Sequence, residues 1–485
     1  MRHAQQAPLP TTAGRRRPGR DEGIATMAAA RAGLAMIAGY PASASVDPGD
    51  TLVLHISTTA RRFRVLFYRW ADGLVPVHMT GWLPGKCAAP RSAADDWEWP
   101  AYPFKLEGSW PSAVYLAFLD DGRGAGLSLA ASSAAALFIV RGQGKAKLLY
   151  KLPLATWHAY NFTGGGCFYK NPPRSLDPPG GKVCFRRPGG GIGGAVWCSP
   201  DYYDLGSPRQ TFAHWDAPFI RWLARNGYAA EFCSGLDLAD GGVPDHYRLL
   251  LSAGHDEYWS EPERDAVEAF IANGGNAAFF GGNTCWWRVR LVDDGAAMVC
   301  HQGGPSGALD QWWPDSGAGR PEDALCGLSY RHGGGWWDGA RETQGYIVQQ
   351  SGHWVFAGTG LADGFAFGAA TAPPLVGYEC DGAPIAAFDH GRGRATLAPH
   401  HARDATPEGF ELLAASVLGD GWQELPTRER SAAREGIHAA TMGIYSKGGT
   451  VFSAGTTDWA QVLGTMQEPC VDTITRNVID RLQTS

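Results

Sequence analysis

Between about residues 40 and 150 apolar and polar positions alternate with a period of two. The runs are "TLVLHIS", "FRVLFYRW", "AVYLAFL", "GLSLAAS" and "AALFIVRG", parted by turns such as "DPGD" and "DDGRG". Side chains of a strand point to opposite faces in turn, so this stretch predicts an antiparallel, Ig-like β-sandwich. It holds no cluster of catalytic residue types, and its expected role is packing or assembly. From about 148 the pattern changes. "AKLLYKLPL", "AAEFCS", "YRLLLSAG", "NAAFFGGN" and "GTVFSAG" are short apolar runs, as in strands covered on both faces. "DAPFIRWLARNGY" sets Phe219, Trp222 and Leu223 at helical spacing and closes at Gly227. In "SEPERDAVEAFIANGG", Ser260 and Glu263 form a capping box with Pro262 in the first turn, and "TTDWAQVL" is a turn into a helix. Residues 170–210 show no period and read as a long loop. Strands alternating with helices predict an α/β fold with a parallel sheet. The expected division is a disordered tail at 1–26, a β-sandwich at 27–147 and an α/β domain at 148–485.

A chain of 485 residues is long enough for more than one core. Its net charge of −6 gives no basic surface for nucleic acid or an anionic membrane. No run approaches the ~18 uninterrupted apolar residues of a membrane span. The ten cysteines show neither CxxC nor zinc-type spacing, which fits buried thiols in a reducing cytoplasm. "GRRRPGR" at 14–20 carries the paired arginines of an export signal, the alternative to a cytoplasmic location; Met27 is an alternative start. GxSxG, P-loop, HExxH and helix-opening GxGxxG motifs are absent, and "GGGIGG" at 189–194 has no strand before it.

Ligands of open α/β sheets bind at the carboxyl ends of the strands. Four polar or aromatic clusters fall at such ends: Trp157–Asn161, His255–Trp259, Gly281–Trp286 and Gly455–Trp459. In "GHDEYWS", His255, Asp256 and Glu257 are candidates for proton transfer, and Tyr258 for a metal ligand. The bland alternative is helix capping and packing. Asn283 is placed to orient a substrate or donate to an oxyanion, or else to satisfy a loop. Tyr160, Asn161, Trp157, Trp259 and Trp286 are candidates for the substrate pocket. His158 reads more readily as a hydrogen-bonded histidine near the surface. Glu379, in "LVGYECDG", is a ligand or an ion-pair partner. Of the adjacent His400 and His401, at most one faces a site.

Taken together, "RWLARNGY", "SAGHDEYWS", "FFGGNTCWWRVR" and "GGTVFSAGTTDWA" resemble the N,N-dimethylformamidase large-subunit family over roughly residues 27–485. The resemblance implies an N-terminal β domain followed by a glutamine-amidotransferase-like α/β domain. It also implies assembly into dimers or larger, and hydrolysis of a small amide with ferric iron held by two tyrosines and a glutamate. Tyr258 matches one such tyrosine. Where the family's second tyrosine precedes the "RWL" helix this chain has Ala217 and Pro218, and its glutamate segment offers Asp310. Tyr160 and Glu379 are therefore the candidates to complete the set, unless the metal is another divalent ion or is lost. The expected function is iron-dependent hydrolysis of a C–N bond in a small-molecule substrate. The alternatives are an iron-dependent oxidase or oxygenase of a specialised metabolite, and a non-catalytic binding or assembly protein.

Overall fold

Period-two burial builds the first part of the chain. In the computed structural model, which describes residues 37–484 except 125, 130–133, 171–179, 198–199, 303–308, 314–316, 335–338, 342, 400–404 and 419–436, two sheets face each other here. Strands Ile37–Pro41, Thr51–Thr58 and Ala101–Lys105 form one antiparallel sheet. Ser45–Val46, Ala135–Val140, Ala113–Asp120, Arg62–Trp70 and Leu74–Met79 form the other. Leu52, Leu54 and Ile56 meet Phe63, Val65 and Phe67 in the space between. Residues 113–120 and 135–140 are buried on both sides. Tyr115, Ala117 and Phe138 face the sandwich interior, while Val114, Leu116, Phe118 and Leu137 join the core of the following α/β part. "GLSLAAS" departs from expectation: residues 126–129 form no strand, and the tail at 1–26 lies outside the described residues, as do His400 and His401.

A nine-stranded sheet carries the rest. Its order is Ala230–Ser234, Leu148–Leu152, Leu249–His255, Asn276–Gly282, Gly449–Ser453, Ala439–Lys447, Glu411–Val417, Tyr346–Val348 and Ala366–Phe367. The first five strands are parallel. The last four run antiparallel, so the sheet is mixed rather than wholly parallel. Helices lie on both faces because the apolar strands alternate inside and out. Ala278 and Phe280 pack with helices Asp216–Arg225 and Pro469–Leu482, whereas Ala277 and Phe279 pack with Val267, Phe270 and Ile271 of helix Glu261–Ala272. The capping box at that helix is made in both directions, Ser260 to Glu263 and back.

The expected loop at 170–210 contains a strand, Gly180–Cys184, paired antiparallel with Ala297–His301. These two join Trp287–Val292 and Tyr258–Ser260 in a four-stranded sheet beside the strand ends. Short length and flanking Pro and Gly hide that strand from a periodicity reading. The glycines of "GGGIGG" allow close packing: a Cβ at Gly189, Gly190 or Gly191 would strike Asn161, His158 or Trp157 respectively. Among the described residues no helix is long and apolar enough to cross a membrane. The nine described cysteines are free, and of these only Cys87 is exposed.

Candidate active site

The turn after Leu249–His255 is pinned from two sides. Thr156, on the short helix Leu154–Tyr160, accepts the N–H groups of Glu257 (3.0 Å) and Tyr258 (3.1 Å). From the next strand end, Cys285 N–H donates to the Asp256 carbonyl and Trp287 N–H to that of Glu257, each at 2.9 Å. Three separate strand ends therefore meet on this turn.

Their side chains converge in a cluster of oxygens. Tyr160 donates to Glu257 Oε2 (2.9 Å), and the Tyr169 hydroxyl lies 2.7 Å from that of Tyr160 and 2.9 Å from Glu257 Oε1. The Tyr258 hydroxyl is 2.7 Å from Tyr169. The Gln302 carboxamide, placed with its nitrogen donating to the Phe168 carbonyl at 2.9 Å, sets its oxygen 2.5 Å from the Tyr258 hydroxyl. The rings of Tyr160 and Tyr169 stack with centroids 4.3 Å apart. Burial first, and the Glu257 charge second, push the phenols of Tyr160 and Tyr258 well above their ordinary value, and the same pair of causes raises Tyr169. Burial likewise raises Glu257 to about 7, against the opposing pull of His255.

A second group adjoins the first. His255 Nε2 lies 2.8 Å from Glu379 Oε2 and 3.5 Å from Glu257 Oε2, and its Nδ1 meets Gln210 Oε1. Burial alone would depress the imidazolium; the charges of Glu379 and Glu257 outweigh it and raise the histidine above its ordinary value. Asn283 donates from Nδ2 to Glu379 Oε2 at 3.2 Å. Glu379 is brought here by Thr457 at the fourth strand end, whose hydroxyl accepts from Glu379 N–H (3.2 Å) and whose own N–H returns to the Glu379 carbonyl (3.1 Å).

The structure thus gathers His255, Glu257, Tyr258, Tyr160, Asn283 and Glu379 in one buried region. It also redistributes them. Glu257 is the carboxylate among the phenols, and Glu379 faces His255 and Asn283. Asp256 points away to Lys151, whose Nζ is 2.7 Å from Asp256 and 2.7 Å from Glu263. Trp286 lies in the same apolar cluster as Tyr160 and Tyr258, with Tyr330 against its ring. Trp157 and Trp259 belong instead to two other cores, because the helix and strand that carry them turn those side chains toward the sheet. Asn161 braces the loop, donating to the Pro188 carbonyl at 2.9 Å. His158 is buried rather than superficial and lines a cavity of about 480 Å³ with Arg186, Arg187 and Asp237, whose lining includes none of the three phenols. Asp310 is taken up by Arg288, Arg290 and His301. Sequence reasoning missed Tyr169, Gln210 and Gln302. Gln210 closes the stretch read as loop and Tyr169 lies just before it, where no period marks either.

Buried phenols, two carboxylates and a histidine are thus collected beside the carboxyl ends of a sheet's parallel strands, the position at which open α/β sheets bind ligands. The chain belongs to the N,N-dimethylformamidase beta subunit-like family, whose C-terminal family model matches residues 63–472. The N,N-dimethylformamidase beta subunits of Alcaligenes sp and Paracoccus aminophilus are each 29% identical to it over 110 residues, 21% of this chain and 14% of theirs. The matched stretch is therefore a small part of the length of these relatives.

Proposed function

We propose that the protein is a metal-dependent hydrolase of a C–N bond in a small amide, with ferric iron as the preferred ion and the amidotransferase-like arrangement of its family. The observation that carries this reading is the oxygen cluster. With Glu257 ionised, five short oxygen–oxygen contacts (Tyr160–Glu257, Tyr169–Tyr160, Tyr169–Glu257, Tyr258–Tyr169 and Tyr258–Gln302) share three hydroxyl protons. Lone pairs left facing one another favour a cation among them. The spacing also suits one: oxygens about 2.0–2.1 Å from a hard cation in octahedral array lie about 2.8–3.0 Å apart, and these contacts run mostly from 2.7 to 3.0 Å. Among the described residues no three His, Cys, Asp or Glu side chains gather as a ligand set, so the candidate donors are the phenols with Glu257.

Tyr160, Tyr169, Tyr258 and Glu257 would hold the ion. When bound, the ion supplies positive charge that polarises a carbonyl and acidifies water. The protein's own part is positioning and proton handling. His255, whose protonation Glu379 favours, would hold a proton at Nε2 and deliver it to the departing amine nitrogen. Glu379 holds the imidazolium and receives the orienting contact of Asn283. Trp286 and Phe168 close one side against bulk water. The test is anaerobic incubation of metal-loaded protein with small amides, measuring amine and acid. Equal release of both without oxygen supports hydrolysis; release that needs oxygen, or none, overturns it.

A further inference from the structure

The cavity of about 480 Å³ beside His158 lies between the β-sandwich and the α/β part, and its volume falls in the range of about 300–1,000 Å³ usual for small-molecule sites. Residues 41–45 and Arg141 wall it on one side; Leu154 and His158, with the segment around Arg187, wall it on the other. Most of its charged lining is already matched. Arg141 pairs with Asp47 (2.7 Å) and Asp237 (3.2 Å) and Arg186 with Asp96 (3.1 Å), while Asp240 and Asp294 are exposed to solvent. Arg187 differs. It is fully buried and spends four of a guanidinium's five N–H groups on the backbone carbonyls of Cys184, Asn161, Thr163 and His158, at 2.7–3.1 Å. No carboxylate among the described residues pairs with it, and burial pushes it down to about 10. The adjoining imidazole of His158 is also unsatisfied: Nδ1 is buried without a partner among the described residues, and Nε2 is turned to Gly190, another lining residue. Burial, then the Arg187 charge, holds this histidine well below its ordinary value, so it is neutral and carries a single N–H. A buried cation is costly until an anion pairs with it.

We propose that the inner end of this cavity is a carboxylate subsite and that the cavity takes a small organic acid. One carboxylate oxygen accepts the remaining Arg187 N–H and the other accepts the His158 N–H at Nε2, while the apolar body of the acid lies against Leu137, Leu154 and Phe185. Two donors and one uncompensated positive charge match a monoanion with two oxygens. A phosphate dianion brings a second charge, and Arg141 and Arg186 are already committed to carboxylates. The cavity lining includes none of the three phenols, so this subsite stands whether or not an amide is hydrolysed at them.

3-Phenylpropionate and 3-phenylpropan-1-ol share one apolar body and differ at the carboxylate. Calorimetry and ligand-observed NMR on the full chain near neutral pH measure the affinity of each. The native protein is expected to bind the acid at least about tenfold more tightly than the alcohol. His158→Leu, which removes the N–H at similar volume, and Leu291→Trp, which fills the cavity from its wall, are each expected to weaken the acid by about tenfold or more. Glu257→Gln, at the oxygen cluster, leaves its affinity unchanged. Arg187 itself is kept, because its loss would orphan four carbonyls and endanger the fold. Equal binding of acid and alcohol by the native protein, or binding of neither, overturns the proposal without any variant. So does acid binding that survives both His158→Leu and Leu291→Trp, or that is lost in Glu257→Gln. Phenyl phosphate bound more tightly than the acid overturns the choice of carboxylate.

Discussion

Lys151 is the perturbation that reads the site's foundations most cleanly. Its ammonium is 1% exposed, 2.7 Å from both Asp256 and Glu263, and 3.7 Å from the centroid of the Trp259 ring. Asp256 precedes Glu257, and Glu263 caps helix Glu261–Ala272, so this one cation ties strand, turn and helix together. Lys151→Met keeps the volume and leaves two carboxylates buried without a counter-charge. Breaking a buried pair in this way costs about 3–5 kcal/mol, and two orphaned partners place the expected loss at the upper end. The sign of its pH dependence follows from linkage. In the variant the folded state takes up protons on these carboxyls more readily than the unfolded state does. The deficit is therefore smallest below the ordinary carboxyl range of about 4 and grows as pH rises through it. Urea unfolding of both proteins at pH 4.5 and pH ~8 (about one unit above neutrality) measures it. Combining Lys151→Met with Asp256→Asn and Glu263→Gln removes the uncompensated charge and restores much of the stability. A loss under about 1 kcal/mol, or one indifferent to pH, refutes the reasoning.

Two further outcomes are expected of the same region. Burial lifts Glu257 from its ordinary 4.5 to about 7, so the folded, metal-free protein binds an extra proton between those limits. Its stability then falls as pH rises across that window; the wild-type minus Glu257→Gln difference in unfolding free energy reads this slope, and a flat difference contradicts it. Gly254 has φ 73°, and a Cβ there would strike Trp215, whose ring packs at 5.5 Å from that of His255. Gly254→Ala is expected to lower stability by about 1–3 kcal/mol, seen as a drop in Tm, and to perturb the His255 ring resonances in NMR.

The hydrophobic pattern made most of the α/β part legible. The apolar runs that end at His255, Gly282 and Ser453 are neighbouring parallel strands, and the Ser260–Glu263 cap is formed. Convergence of strand ends also located His255, Glu257, Tyr258, Tyr160 and Asn283 in one neighbourhood; Glu379, read only as a ligand or ion-pair partner, joins them from a loop bonded to Thr457. What stayed hidden depends on contacts distant in sequence. Tyr169 and Gln210 sit in an aperiodic stretch, and nothing local distinguishes either from loop residues. The exchange of roles between Glu257 and Glu379 depends on rotamers and on Thr457, which anchors the second carboxylate. Trp157 and Trp259 illustrate the opposite error, since an aromatic near a strand end has two faces to choose from and these two chose the core. Asp256 has the composition of a catalytic group, but a lysine 105 residues earlier occupies it.

The central claim is that the phenols of Tyr160, Tyr169 and Tyr258 with the Glu257 carboxylate form a seat for a hard cation. Ferric iron titrated into metal-free protein, followed by visible absorption and elemental analysis, tests it most directly. The expected result is one iron per chain with a phenolate-to-iron absorption band that is weakened in Tyr169→Phe and lost in Glu257→Gln. A colourless protein that retains no iron, or a band indifferent to both substitutions, contradicts it.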